Sequence, residues 1–163
     1  MNKLLLLVTV LALSACGFHL RGVAKLPFDT VYVEASSSPA LGTALQRAIR
    51  FGSQTRTVAQ PGEAEVLVRV LSATREKRIL SLGGTGRVRE YQLILRVSFS
   101  AQERAGRELL APQQIELHRD FSYDDSQILA KESEEALLYD DMQNDAVTQI
   151  LRRLSAIPPA GGQ

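Results

Sequence analysis

The single cysteine of this 163-residue chain, Cys16, has the most distinctive reactivity that the sequence offers. It directly follows the sequence Leu-Ser-Ala and an apolar run over residues 4–13, before which Lys3 supplies a positive charge. A thiolate is a good nucleophile and its thioether product resists hydrolysis, so a cysteine in this position suits the covalent attachment of a lipid.

The pattern Leu13-Ser14-Ala15-Cys16 resembles a bacterial lipobox, in which diacylglycerol alkylates the thiol before cleavage on the amino side of the cysteine. Residues 1–15 are then a signal peptide that is removed. As a helix, the ten apolar residues span about 15 Å, half of the ~30 Å hydrocarbon core, which disfavours a permanent transmembrane span. The alternative is an ordinary secretory signal with a chance cysteine.

The residue after the cysteine predicts where such a lipoprotein is sorted. Stable anchoring needs more than one acyl chain, and lipoproteins of this type carry three. An aspartate directly after the cysteine resembles an inner-membrane retention signal, and this chain has Gly17 at that position. We therefore expect a lipid anchor in the outer membrane, with the protein on the periplasmic side.

A second chemical feature is a group of five cations around a glycine-rich loop. Arg75, Lys77 and Arg78 precede the loop at 81–86, and Arg87 and Arg89 follow it. If the loop is a hairpin turn, it brings all five cations to one edge of a sheet. Because guanidinium groups bind phosphate with two parallel hydrogen bonds, this edge is a candidate site for a phosphorylated lipid headgroup. The alternative is a solvated hairpin end.

Other kinds of chemistry find little support in the sequence. His118 and Asp120 are two residues apart on a predicted strand and could form an acid–base pair, but no nucleophile motif accompanies them. The only other histidine is His19, and no cysteine stays free after lipidation, so we predict no metal, no cofactor and no enzyme activity. The formal charge is +1, or 0 once Lys3 is removed, which argues against nucleic acid as a partner.

The elements that position these residues follow from hydrophobic periodicity. Alternating or β-branched runs predict strands, and apolar residues at helical spacing predict helices. The pattern gives strands at 30–34, 64–79, 90–100 and 114–123, and helices at 39–51 and 133–157. We expect an α+β fold in the order β-α-β-β-β-α, a four-stranded mixed sheet with two helices packed on one face. The predicted domains are a signal peptide (1–15), a lipidated tether (16–28), a single α+β domain (29–157) and a flexible tail (158–163).

Five short blocks of the sequence together carry a resemblance to a known family. They are CGFHLRG at 16–22, EYQL at 90–93, RDFSY at 119–123, ILAKE at 128–132 and QILRRL at 149–154. In their order and spacing they resemble LptE, the family of LPS-assembly lipoproteins.

The resemblance implies a function in lipopolysaccharide transport. Members of the family form a complex with the outer-membrane β-barrel LptD, sit as a plug in its lumen, and assist delivery of lipopolysaccharide to the outer leaflet. They bind lipopolysaccharide through basic residues around the second hairpin and in the Ala-Lys turn before the last helix. The turn position is Lys131 here, and the hairpin candidates are Arg78, Arg87 and Arg89. The alternative function is a structural or chaperone-like lipoprotein that assists folding of an outer-membrane barrel without binding lipid.

Overall fold

A computed structural model describes residues 25–158 of the chain. The predicted signal peptide, Cys16 and all but Pro158 of the predicted tail lie outside these residues. The order of elements is β1 (Thr30–Glu34), α1 (Pro39–Gly52), β2 (Arg56–Thr57), β3 (Val66–Leu82), β4 (Val88–Glu103), β5 (Glu108–Ser122) and α2 (Ile128–Ser155). Single turns of 3-10 helix at Pro61–Glu63 and Asp125–Gln127 precede β3 and α2.

The sheet formed by residues 25–158 is mixed, as predicted, but it has five strands and not four. Their spatial order is β2-β1-β3-β4-β5, with β1 parallel to both β2 and β3, and with antiparallel pairing of β3, β4 and β5. The strand that the prediction omitted, β2, consists only of Arg56 and Thr57, too short for any alternation to be visible in the sequence. The α+β class is confirmed, whereas the strand count was wrong.

The last strand and the last helix begin well before the residues at which periodicity predicts them. The last strand starts at Glu108 and contains Pro112, which a central strand would not tolerate because proline cannot donate to the ladder. It is accepted here because β5 is an edge strand with a register shift beside the proline. Helix α2 starts at Ile128, directly after a turn in which Asp124 accepts a hydrogen bond from the Ser126 amide at 2.9 Å.

The long β3–β4 hairpin gives the domain two well-separated ends. Seventeen residues of β3 extend about 55 Å at ~3.3 Å per residue. One end, which we call the hairpin end, holds the β3–β4 turn, the end of β5 and the start of α2. The other, which we call the tether end, holds Lys25, the starts of β1 and β3, and the last turns of both helices.

The hydrophobic core lies between the two helices and one face of the sheet. The alternation predicted for β4 is confirmed, since its core-facing residues from 93 to 101 are all buried. The largest core residues are Leu41, Leu45 and Ile49 of α1, Leu93 and Phe99 of β4, and Met142, Ile150 and Leu154 of α2. The opposite face of the sheet, which we call the open face, is not covered by a helix.

The first described residues are part of this packing. Leu26 and Phe28 are buried in the core. The Thr55 hydroxyl donates to the Phe28 carbonyl at 2.8 Å, and the Arg56 amide donates to the Asp29 carbonyl at 2.8 Å. The packed region therefore begins within the segment predicted as tether, which brings the point of chain entry close to the end of α1.

Candidate lipid-binding site

The turn between β3 and β4 is a hairpin, as the glycine-rich loop predicts. The Gly83 amide donates to the Arg87 carbonyl at 2.7 Å, and the Gly86 amide donates to the Gly83 carbonyl at 2.9 Å. Gly86 has a φ of +79°, a left-handed conformation that side chains with a Cβ rarely adopt. A Cβ on Gly83 would lie 3.3 Å from both Cγ and Cδ of Arg89, so the aliphatic stem of this arginine packs over a glycine.

The five predicted cations do not share one edge, and that part of the prediction was wrong. Side chains alternate between faces along a strand, so neighbouring cations must diverge. Arg75 and Lys77 face α2, where Arg75 Nη2 lies 3.8 Å from Asp140 Oδ1. Arg78 lies on the open face and its guanidinium donates to Glu76.

Arg87 and Arg89 differ from these three residues. Both side chains are exposed, and neither forms an ion pair or a side-chain hydrogen bond with any other residue between 25 and 158. Both guanidinium groups are therefore accessible to an anionic ligand, whereas Arg78 already has a carboxylate partner.

Lys131 lies in the first turns of α2, at the same end of the domain. Its ammonium lies 2.8 Å from Glu134 Oε2 and donates to the Ser122 hydroxyl at 3.3 Å, and its side chain is only 15% exposed. Ser122 pairs with Glu90, the residue after Arg89. The fold thus brings the candidate from the helix to the same end of the sheet as the hairpin arginines, although its ammonium is already partnered.

Sequence reasoning missed an apolar component of the hairpin end. Five large aliphatic side chains are exposed there: Ile79, Leu80 and Leu82 on β3, and Ile128 and Leu129 at the start of α2. The signal was present in the letters ILSL that follow the cations of β3. Exposed aliphatic groups beside free guanidinium groups suit an amphipathic ligand with both acyl chains and anionic groups.

The two residues of the candidate acid–base pair each interact with a different neighbour. His118 and Asp120 both lie on the open face of β5. His118 Nε2 is 3.0 Å from Glu116 Oε1, whereas Asp120 Oδ1 accepts a hydrogen bond of 3.0 Å from the side-chain amide of Gln92. Glu116 also accepts from Arg96, whose hydrogen bond holds the pKa of that carboxyl below its ordinary value. The pair therefore belongs to a network of surface interactions.

Residues 25–158 offer neither a metal-ligand cluster nor a membrane-spanning helix. No group of three or more potential metal ligands is present in this part of the chain. Neither of its two helices is long and apolar enough to cross a membrane.

Comparison with known proteins agrees with the fold and with the blocks found in the sequence. The family model described as "LptE: Lipopolysaccharide-assembly" matches residues 28–154. The chain is 30% identical over 158 residues to the LPS-assembly lipoprotein LptE of Pectobacterium atrosepticum, covering 94% of this chain and 84% of that protein. It is 29% identical to the protein of the same name from Photorhabdus laumondii, covering 98% and 88%.

Solved structures of lipoproteins have the same fold. The solution structure of lipoprotein B from Nitrosomonas europaea is 43% identical, with a TM-score of 0.77, covering 89% of this chain and 94% of that one. The crystal structure of rare lipoprotein B from Shewanella oneidensis is 28% identical, with a TM-score of 0.69, covering 78% and 95%. Since the family model spans nearly all of the described residues and relatives match over almost the full chain, the chain belongs to the LptE family of lipopolysaccharide-assembly lipoproteins.

Proposed function

We propose that this chain is an outer-membrane lipoprotein, acylated on Cys16 and held on the periplasmic side, that forms a complex with an LptD-type β-barrel. In this complex it serves as the plug of the barrel and assists transport of lipopolysaccharide to the outer leaflet. It works by binding and not by catalysis, and it needs no cofactor.

The observation that carries the lipid-binding part is the composition of the hairpin end. Lipopolysaccharide combines phosphate groups with acyl chains. Arg87 and Arg89 offer phosphate two guanidinium groups that have no partner among residues 25–158, with Lys131 nearby. Five exposed aliphatic side chains offer a surface for acyl chains. Arg78 is a weaker candidate because it is bonded to Glu76 on the open face.

The polar character of the open face supports the proposed position of the domain inside a barrel. Transmembrane barrels have polar interiors. Arg96 joins two strands on this face, with its Nη1 2.6 Å from Glu76 Oε2 and its Nε 2.7 Å from Glu116 Oε2. A face of alternating charge can meet a polar barrel wall without exposing apolar surface.

Pulling down the lipoprotein from detergent-extracted membranes and identifying what copurifies tests the proposal. We expect a large outer-membrane barrel in near-equal amount. A Cys16→Ala variant exported behind a cleavable signal should leave the salt-washed membrane pool in cells without the barrel, yet still copurify with the barrel when it is present. Absence of any barrel from the pull-down would contradict the proposal.

A second measurement separates the proposed function from a chaperone-like lipoprotein that never binds lipid. The Cys16→Ala chain, purified without the barrel, should bind lipopolysaccharide directly. Barrel copurification without any lipopolysaccharide binding would favour the chaperone-like function.

A further inference from the structure

We propose that the tether end of the domain contacts the bilayer directly, through a basic and aromatic patch on α1 that binds anionic phospholipid headgroups. The patch consists of Arg47, Arg50 and Phe51, and we call it the α1 patch. The inference rests on the proposed lipid anchor, since the anchor is what brings this end of the domain to a membrane.

The three residues are adjacent on one exposed face of α1. Residues three and four apart on a helix are neighbours on its surface, which places Arg50 and Phe51 one turn beyond Arg47. The core side of the same helix is formed by Leu45 and Ile49, both fully buried. Phe51 is 80% exposed, more than any other large apolar residue between 25 and 158. A phenylalanine so exposed contributes little to the core, and its position in the last turn of α1 presents it at the tether end.

The charge around the patch is of one sign. Between residues 35 and 62 the chain carries three arginines, Arg47, Arg50 and Arg56, and no aspartate or glutamate, although the whole chain has a net charge of only +1. All three arginines are exposed and none forms an ion pair with another residue in the described range 25–158. Such a segment is complementary to an anionic surface.

The acidic residues of the tether end lie outside α1, whose own charged residues are Arg47 and Arg50. Glu65, just before β3, accepts a hydrogen bond from the Asp29 amide at 2.8 Å. Glu103, at the end of β4, is paired with Arg107. The charge on the exposed face of α1 itself is therefore entirely positive.

The short segment between Cys16 and the packed domain limits the distance between this patch and a bilayer. The nine residue steps from Cys16 to Lys25 span at most about 30 Å when fully extended. Beyond Lys25 the chain is held, because Phe28 is buried and its carbonyl accepts the Thr55 hydroxyl from the segment that follows α1. An acylated Cys16 thus keeps the end of α1 close to the headgroups, where binding is effectively intramolecular and weak contacts suffice.

Contact through the patch would set the orientation of the domain. Each arginine near an anionic bilayer strengthens partitioning about fivefold, and an aromatic ring at the headgroup level adds to this. With the α1 patch held at the headgroups, the tether end stays at the periplasmic surface, and the hairpin end, at the far end of the ~55 Å β3, is the end left free to enter the barrel lumen. The anchor alone would leave that direction unspecified.

Vesicle sedimentation tests the proposal with the mature chain carrying Cys16→Ala, which removes the acyl anchor. We expect this parent chain to partition onto vesicles of phosphatidylglycerol and phosphatidylcholine, to bind pure phosphatidylcholine far less, and to dissociate as salt is raised. Arg47→Gln combined with Arg50→Gln should lower the partition coefficient at least about tenfold, and Phe51→Ser a few-fold.

The matched control is Arg75→Gln combined with Arg119→Gln, which removes the same charge midway along the sheet, away from both ends, and should change vesicle partitioning less than about twofold. All these side chains lie on the surface, so unfolding transitions should stay close to that of the parent. No partitioning of the parent, or equal loss in the control, would overturn the proposal. If the patch variant keeps vesicle binding but no longer copurifies with the barrel, the patch is a protein contact, and the proposal fails while the proposed function stands.

Discussion

The Lys77 ammonium lies 4.3 Å from the centroid of the Tyr91 ring, while its Nζ is 2.6 Å from Glu135 Oε2 of α2. Tyr91 stacks on Phe121 at 5.9 Å and meets Tyr123 edge-on at 5.1 Å, so the cation sits beside a cluster of three rings. A residue that the sequence suggested as part of an anion site instead joins three strands to the helix. It has a structural role in holding α2 on the sheet.

Removing this charge should therefore lower stability. We expect Lys77→Met, which keeps the aliphatic stem, to lower the free energy of unfolding by about 1 kcal/mol through loss of the cation–π and ion-pair interactions. Urea denaturation at pH 7 measures it. The matched control is Arg87→Met, at an exposed cation that pairs with no residue in the described range 25–158, and it should stay within about 0.5 kcal/mol of wild type. Equal effects of the two variants would contradict the structural role.

The hairpin turn supplies a second prediction about stability. Gly86→Ala should lower the free energy of unfolding by about 1 kcal/mol, because alanine is strained at a φ of +79°. Gly84→Ala is the matched control, since its φ is not positive and a Cβ there meets nothing within 4 Å. Denaturant titration should find the control within about 0.5 kcal/mol of wild type. A destabilised control with an unchanged Gly86 variant would mean that the turn has another geometry.

Much of the fold could be predicted because its long elements repeat a clear pattern. β4 alternates from Tyr91 to Phe99, and α2 carries an apolar stripe through Met142, Ala146 and Ile150. The strand β2 could not be found, since two residues have no period and their pairing with β1 depends on α1 being in place.

The site was less predictable because it depends on which face each side chain takes. Grouping Arg75, Lys77 and Arg78 by proximity in sequence ignored the alternation that puts Arg78 on the opposite face from the other two. Ile94 shows the same limit on the open face: it is fully buried there, although its strand partners Glu76 and His118 are polar. A single buried residue among polar strand partners leaves no apolar pattern to detect.

The network around Arg96 makes stability depend on pH. Hydrogen bonds from Arg78 and Arg96 lower the pKa of Glu76, and one from Arg96 lowers that of Glu116. A carboxyl whose pKa is depressed by folding stabilises the native state above its unfolded pKa of about 4.3, and this contribution is lost as pH falls through the lower native value. The urea midpoint should therefore decrease below about pH 4.5.

An Arg96→Gln variant tests whether this network causes the decrease of the urea midpoint at low pH. This variant should have a shallower decrease of the urea midpoint below about pH 4.5, because Glu116 loses its main partner and Glu76 loses one of two. Arg87→Gln, which changes charge equally but touches no carboxylate between residues 25 and 158, should keep the wild-type slope. Identical slopes in all three proteins would assign the acid sensitivity to other groups.

Charge reversal at the hairpin end tests the lipid site itself. Arg87→Glu combined with Arg89→Glu should weaken lipopolysaccharide binding by the Cys16→Ala chain at least about tenfold, because two charge-assisted contacts become repulsive. Stability should stay within about 0.5 kcal/mol of the parent, since neither side chain has a partner among residues 25–158. Arg47→Glu combined with Arg50→Glu, an equal change at the tether end, serves as the control and should retain lipopolysaccharide binding.

Lys131 needs a separate variant because its ammonium is bonded to Glu134 and Ser122. Lys131→Gln avoids the repulsion that a glutamate would create beside Glu134, and it should weaken lipopolysaccharide binding a few-fold with a stability loss below about 1 kcal/mol. Binding measured at matched folded fractions separates the two effects. If Arg87 and Arg89 can be reversed without any loss of binding, while Lys131→Gln weakens it, the ligand occupies the start of α2 and not the hairpin turn. Unchanged binding in both variants would place the lipopolysaccharide contact outside the hairpin end.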